Sequence, residues 1–259
     1  MTTHVLFREI PDTFDQAIVR RGTPNIDVGQ ARKQHSAYRQ HIEGAGYATT
    51  MLAADARFPD SVFVEDPVVI VGRTALITRL GTASRVGEEV FVAEMLASHL
   101  DIVSMAPPAT LEGGDVFIVN ETIYVGRSER TNQEGINQLS EVAAQHELGV
   151  VPVDVSGVLH LKSAVLPIDS ETVVVTPGTV DESMLAAFRV IHEDDTERHR
   201  FSALPLQSGV VIVTKDSPRT SEQVAALGQE VIPIDVSEIQ AADGGLTCMS
   251  VMFSVAFDK

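Results

Sequence analysis

Leu111-Glu-Gly-Gly-Asp-Val-Phe-Ile-Val-Asn-Glu-Thr-Ile-Tyr-Val125 is the stretch on which the fold turns. A polar entry, 111–115, runs into residues 116–119, a short run of strand-favouring side chains. Asn120-Glu121 predicts a tight turn, and 123–125 returns as a second strand. A helix over about 132–146 and a strand over 150–155 complete the unit. The unit is strand–strand–helix–strand, led in by polar residues.

The same order recurs on both sides. Residues 68–72 and 75–79 predict a hairpin turning near Gly72-Arg73-Thr74. A helix over 87–100 follows, with Val90, Phe91, Met95 and Leu96 near the core face, then a strand over 101–105. A third copy starts at Leu159-His160-Leu161-Lys162, with strands at 164–168 and 172–175 and a short helix over 181–188. A fourth holds a strand at 209–213, a helix at 221–227 and a strand at 231–235. The fifth combines 244–257 with the N-terminal strand 4–8 and a helix over 30–43, whose Ala31, His35, Tyr38 and Ile42 share one face. Gly44 and Gly46 end that helix. Residues 11–29 read as a long loop of the kind that forms lids. About five copies at a period of roughly 50 residues mark a repeat architecture. Joining the last strands to the first closes a ring and protects the sheet edges. The expectation is one α/β domain over 1–259. The alternative, an open α/β sheet, lacks a Gly-x-Gly-x-x-Gly or Walker sequence for a nucleotide.

The chain has 259 residues, 44% of them hydrophobic, enough to bury a large core. Its net charge of −17 argues against nucleic acid as a partner and favours the approach of a small cation. One cysteine excludes an internal disulfide framework and fits a reducing compartment. No apolar run is long enough to span a membrane, and no basic-then-apolar start is seen, so a cytoplasmic protein is expected.

Polar residues interrupt the start of the first three units: Asp60, Glu65 and Asp66, then Glu112 and Asp115, then His160. The fifth copy supplies Asp243 and Cys248. Corresponding positions of a closed ring point at one axis. A lone cysteine is more often a small buried hydrophobe; this convergence is what argues for a nucleophile. His160, at the head of a strand, is the best partner among eight histidines. His4, His35, His41, His99, His146, His192 and His199 fall in helices, terminal strands or charged loops, mostly on the surface. Carboxylates beside a thiol raise its pKa, which makes sense if the substrate is itself a cation. A guanidinium suits paired carboxylates through its fork of donors, and its central carbon is electrophilic. Arg85 and Arg130 flank the same region and suit a substrate carboxylate. The implied ligand is a small cationic amino acid with a guanidinium at one end. Zinc on the cysteine, histidine and acids is the chemical rival, but no Cys-x-x-Cys or His-Glu-x-x-His spacing supports it.

Over essentially its full length the chain resembles the dimethylarginine dimethylaminohydrolase family of guanidino-modifying enzymes. The carrying motifs are Arg57-Phe-Pro-Asp-Ser-Val-Phe-Val-Glu-Asp-Pro67, Glu112-Gly-Gly-Asp115, Gly126-Arg-Ser-Glu-Arg-Thr-Asn132, Leu159-His-Leu-Lys162 and Asp243-Gly-Gly-Leu-Thr-Cys-Met-Ser250. The resemblance implies a five-bladed α/β propeller that hydrolyses N-methylated arginine to citrulline and a methylamine, without cofactor or metal. It implies Cys248 as nucleophile, His160 as general acid and then base, and Glu112 and Asp66 as holders of the guanidinium. Asp60, Phe63, Glu65 and Asp243 match further substrate-pocket positions, and Arg85 and Arg130 match binders of the α-carboxylate. Ile18 stands where the family has a lid leucine, and Ala242 where a bulkier aliphatic lends its carbonyl. Arginine deiminase shares the same central residues but carries an extra helical insertion for which this chain has no room. A monomer or homodimer is expected.

Overall fold

Each polar-led run of valine and isoleucine becomes the first two strands of a small sheet. The computed structural model describes residues 2–255 other than 21, 24, 195, 198–200 and 208. His199 and residues 256–257 of the expected fifth copy lie outside the described residues.

In chain order the elements are β1 (Thr2–Arg8), α1 (Val28–Gly44), β2 (Ala48–Leu52), β3 (Val68–Val71), β4 (Thr74–Ile77), α2 (Glu89–Leu96) and β5 (Asp101–Ser104). Then come β6 (Val116–Val119), β7 (Thr122–Arg127), α3 (Gln133–Gln145), β8 (Gly149–Asp154), β9 (Val165–Pro167), β10 (Thr172–Val175) and β11 (Arg189–His192). The chain ends with β12 (Ala203–Pro205), β13 (Val210–Thr214), α4 (Pro218–Ala225), β14 (Glu230–Ile234), α5 (Ser237–Gln240) and β15 (Val251–Val255). They make five three-stranded sheets, ordered β15-β1-β2, β3-β4-β5, β6-β7-β8, β9-β10-β11 and β12-β13-β14. In every one the entry strand is antiparallel to the middle strand, and the outer strand is parallel to it. A parallel neighbour needs a crossover, and the segment before each outer strand supplies it.

The cores show how the sheets stand. One apolar cluster joins Leu6 and Val251 to Val68 and Ala75. A second joins Leu76 to Val116 and Ile123, and a third joins Phe117 and Tyr124 to Val165 and Val173. A fourth joins Leu166 and Val174 to Ala203 and Val211. The last joins Leu204 and Ile212 to Val5 and Phe7. Each sheet packs on the next, and the fifth packs on the first, so the ring is closed. The seam is made by β1 and β15, with Leu6 opposite Val251.

Helix ends follow local chemistry. Asp27 accepts from the Gln30 N–H at 3.0 Å to start α1, and Asn132 accepts from the Gly135 N–H at 2.8 Å to start α3. The predicted face of α1 is correct: Ala31, His35, Tyr38 and Ile42 are buried, with Gln34.

Several expectations need correction. β2, β11 and β12 are absent from the sequence reading. β2 is half-buried along its length and reads Ala-Thr-Thr-Met-Leu, so it lacks the apolar run of an inner strand. Residues 181–188 form only a 3-10 turn, Glu182–Leu185, before β11. α2 is shorter than expected and buries Val92 and Leu96, leaving Val90 47% and Phe91 42% exposed. It is apolar on more than one side, so periodicity could not choose the inward face.

Gly135 sits where the first turn of α3 crosses the preceding chain. A Cβ there would lie 2.1 Å from the Thr110 carbonyl oxygen. Gly135→Ala is expected to lose about 1–3 kcal/mol of stability by overpacking. Urea unfolding of the two proteins checks this, and an unchanged midpoint contradicts it.

Candidate active site

The entry segments to β3, β6, β9 and β15 carry the polar groups to one end of the ring axis. Three of them tighten into 3-10 turns at the chemistry: Gly113–Asp115 just after Glu112, Leu161–Ser163 just after His160, and Thr247–Met249 around Cys248. Glycines let these segments touch. A Cβ on Gly113 would lie 2.0 Å from the Glu65 carbonyl oxygen, and one on Gly114 would lie 2.5 Å from His160 Nδ1. That is the physical content of Glu-Gly-Gly-Asp: the second segment passes backbone-close to the first and third.

Glu112 has no exposed surface. Its Oε2 lies 2.8 Å from His160 Nε2, while its Oε1 accepts from the Gly81 N–H at 3.0 Å and from Arg130 Nη1 at 3.1 Å. Asp66 Oδ2 accepts from Arg85 Nη1 at 2.7 Å, and its Oδ1 from the Gly114 N–H at 3.1 Å. Burial works against the charge of Asp66, but His160 and Arg85 outweigh it and hold the carboxyl below the usual range. Burial alone would lower the pKa of His160. Asp66, Glu112 and Asp115 outweigh burial and push it up to about 9, so the ring is an imidazolium at neutral pH. Asp115 also holds the histidine turn, accepting from the Leu161 N–H at 2.8 Å.

Cys248 is part-buried, and its Sγ accepts from the Gly245 N–H at 3.3 Å. Burial, then Glu65 and Asp66, push its thiol up to about 12 against smaller opposing effects of the Gly245 N–H and Lys162. Ile18, Asp60, Phe63, Asp66, Arg85, Arg130, His160, Ala242, Asp243 and Cys248 all line one narrow cleft. Glu112 stands behind His160, and Glu65 lines the adjoining, wider space. The predicted residues therefore meet.

Several have work that sequence alone did not show. Arg85 is buried, and its Nε and Nη2 also contact Glu88, with Nη2 2.8 Å from Oε2. Burial pushes Glu88 up to about 7 against the pull of Arg85. Arg130 is held on Glu112, so a substrate carboxylate would meet two arginines already paired to acids. Glu65 pairs with Lys162 at 2.5 Å and accepts from Thr247 Oγ1 at 3.0 Å. Asp60 accepts from the Ile18 N–H at 3.1 Å, and Asp243 accepts from the Arg20 N–H at 2.6 Å. These two acids hold the 18–20 segment at the cleft through its backbone. The isoleucine at position 18 therefore leaves that anchor intact. Asp243 adopts a left-handed φ of 56°, which an aspartate tolerates better than most residues.

Glu88 and Asp115 were the residues sequence reasoning left without roles. Glu88 lies three positions after Arg85, a spacing that could have suggested the pair. Asp66, Glu112 and His160 offer donor atoms within 4.8 Å of one another. Each already has a partner: Asp66 accepts from Arg85, Glu112 from Arg130, and His160 Nε2 lies 2.8 Å from Glu112 Oε2.

Comparison with known proteins gives the family. The family model for arginine deiminase matches residues 56–203. The N(G),N(G)-dimethylarginine dimethylaminohydrolase of Streptomyces coelicolor is 36% identical, over 94% of this chain and 98% of that protein. The enzyme of the same name from Pseudomonas aeruginosa is 32% identical over 98% of this chain and 100% of its own. Its cysteine-to-serine variant, solved with citrulline, superposes with a TM-score of 0.92. A histidine-to-glycine variant of dimethylarginine dimethylaminohydrolase, solved as an adduct with S-methyl-L-thiocitrulline, superposes with a TM-score of 0.90 at 32% identity, covering 98% of this chain and 100% of that one. On this sequence identity, coverage and shared architecture, the chain belongs to the dimethylarginine dimethylaminohydrolase family.

Proposed function

We propose that the chain hydrolyses N-methylated L-arginine to L-citrulline and methylamine or dimethylamine through a covalent cysteine intermediate. One observation carries the reading: a thiol and an imidazole face one cleft walled by carboxylates and arginines. The relatives solved with citrulline and with a thiocitrulline adduct support an arginine-like ligand.

In this reading Asp66 receives the substrate guanidinium and Arg85 and Arg130 receive its carboxylate; Glu112, which resemblance alone put on the guanidinium, is fully buried behind His160 and outside the cleft, so it orients the imidazole instead. Asp60 and the backbone at Ile18 and Ala242 surround the ammonium end, with Phe63 against the side chain. Without substrate the thiol of Cys248 is protonated, because burial and neighbouring acids disfavour the thiolate. A bound cation offsets those acids, so the thiol releases its proton to water when there is something to attack. Sulfur then bonds to the guanidinium carbon. His160 gives its proton to the substituted nitrogen, which leaves as an amine. A water bonds to the carbon of the resulting thiouronium while His160 takes a proton, and the carbon–sulfur bond breaks to release citrulline. A raised His160 pKa suits the first role, since the acid is charged at neutral pH.

Cys248→Ser is expected to fold, to bind asymmetric dimethylarginine and to lose turnover by roughly 10³-fold or more. A citrulline assay with calorimetric binding checks this, and near-native turnover by the folded variant overturns the reading.

Thiol alkylation in the free protein is expected to rise only well above pH 9, and an unreactive amidine is expected to shift that rise downward. A reactive thiol at neutral pH without ligand contradicts substrate-assisted activation.

Because His160 must be protonated to act as acid, turnover is expected to fall as pH rises through about 9. Glu112→Gln removes one of the carboxylates that raise this pKa, so the alkaline limb moves to lower pH. The linkage has the same sign. The folded-state value lies above the unfolded value of about 6.5, so the stability it contributes is full below that pH and is lost as pH rises through about 9. Rate profiles of both proteins check the shift, and coincident limbs contradict it.

A further inference from the structure

Four of the five entry segments bring reactive or charged groups to the axis. The one leading into β12 brings Phe201 and Ser202 instead, both buried. There the cleft widens into a chamber of about 250 Å³. A cavity that holds a single water needs on the order of 10–15 Å³. Phe201, Ser202, Ser163 and Gln240 line the chamber, and Cys248 and His160 border it. None of those first four lines the narrow cleft with Arg85 and Arg130, yet Cys248 and His160 line both. The two spaces therefore meet at the nucleophile and the acid.

In the proposed reading, a substrate with its amino-acid end between Arg85 and Arg130 brings its guanidinium carbon to Cys248. The nitrogen that His160 protonates then faces the chamber. Phe201, Ser202, Ser163 and Gln240 carry no charge; of the charged side chains on the wall, Glu65 is paired with Lys162, and Asp243 accepts from the Arg20 N–H. The space has room for an alkyl group far larger than methyl.

We propose that this chamber is a subsite for the substituent on the departing nitrogen, and that the chain cleaves Nω-alkyl-L-arginines bearing ethyl, propyl and butyl groups as well as methyl. This rests on the proposed function, because it assumes the same bond is broken. The step balances in the same way. Sulfur bonds to the guanidinium carbon, the bond to the alkylated nitrogen breaks with the His160 proton passing to it, and an alkylamine leaves. Water then adds to the carbon, returns a proton to His160 and releases citrulline from sulfur. The subsite is one of volume rather than of directed polar contacts, so discrimination along the alkyl series should be shallow.

The experiment is citrulline formation from Nω-methyl-, ethyl-, propyl- and butyl-L-arginine. The expected kcat/KM for propyl lies within tenfold of that for methyl, and a larger fall overturns the proposal. Ser163→Phe, which fills the chamber from a part-buried position, is expected to lower the propyl-to-methyl ratio at least tenfold; an unaltered ratio overturns the proposal. If methylarginine itself is not turned over, the proposed function fails separately. Calorimetry of the same series on Cys248→Ser then decides the chamber: Kd values within tenfold from methyl to propyl uphold it, and a steeper weakening overturns it.

Discussion

A carboxylate with no exposed surface holds the centre of this molecule. Glu112 could not be charged in the interior without partners, since an unpaired buried carboxylate is costly. It is met by Arg130, by the Gly81 N–H and by His160. Those partners come from three different parts of the chain, so one buried charge joins three segments of the ring. Asp66 does the same for the Gly114 N–H and Arg85, and Asp115 for the Leu161 N–H, Ser128 and Thr131. The network sets the place of the imidazole and also its charge.

The ring makes such a network possible. Each small sheet buries its faces against its two neighbours, and each entry segment must turn inward to reach the axis. Side chains there are close to one another and far from bulk water. Glycines at 113 and 114 allow that approach, and larger residues would force the segments apart. β1 and β15 close the circle and carry the thiol segment against the histidine segment. The site therefore depends on a pairing between the two ends of the described chain.

The same crowding explains an otherwise awkward combination. A thiol among carboxylates is a poor nucleophile at rest, and burial makes it poorer. In the proposed reaction this is useful, because the missing positive charge arrives with the substrate. The internal pairs on Arg85, Arg130 and Lys162 keep the acids satisfied meanwhile. Reactivity then follows occupancy, with the imidazolium already in place to protonate the departing nitrogen.

Much of this was legible along the chain. The hydrophobic runs of β3, β4, β6, β7, β10 and β13 announce themselves, because strands buried on both faces read as continuous apolar segments. The caps at Asp27 and Asn132 and the glycines of Glu-Gly-Gly-Asp are also local signals. Outer strands such as β2 and β11 left little trace, being half-exposed and mixed in composition. α2 misled because an apolar helix has no preferred face until neighbours choose one. Residue types and their order determined that five similar units exist and that a sulfur, an imidazole and several acids stand at their starts. Only the tertiary structure decided which acid meets which cation. It set Arg85 on Asp66, Lys162 on Glu65, and the backbone at Ile18 and Arg20 on Asp60 and Asp243. Those contacts join residues far apart in the chain, and electrostatic pairing is chosen by distance in space, which no local pattern encodes.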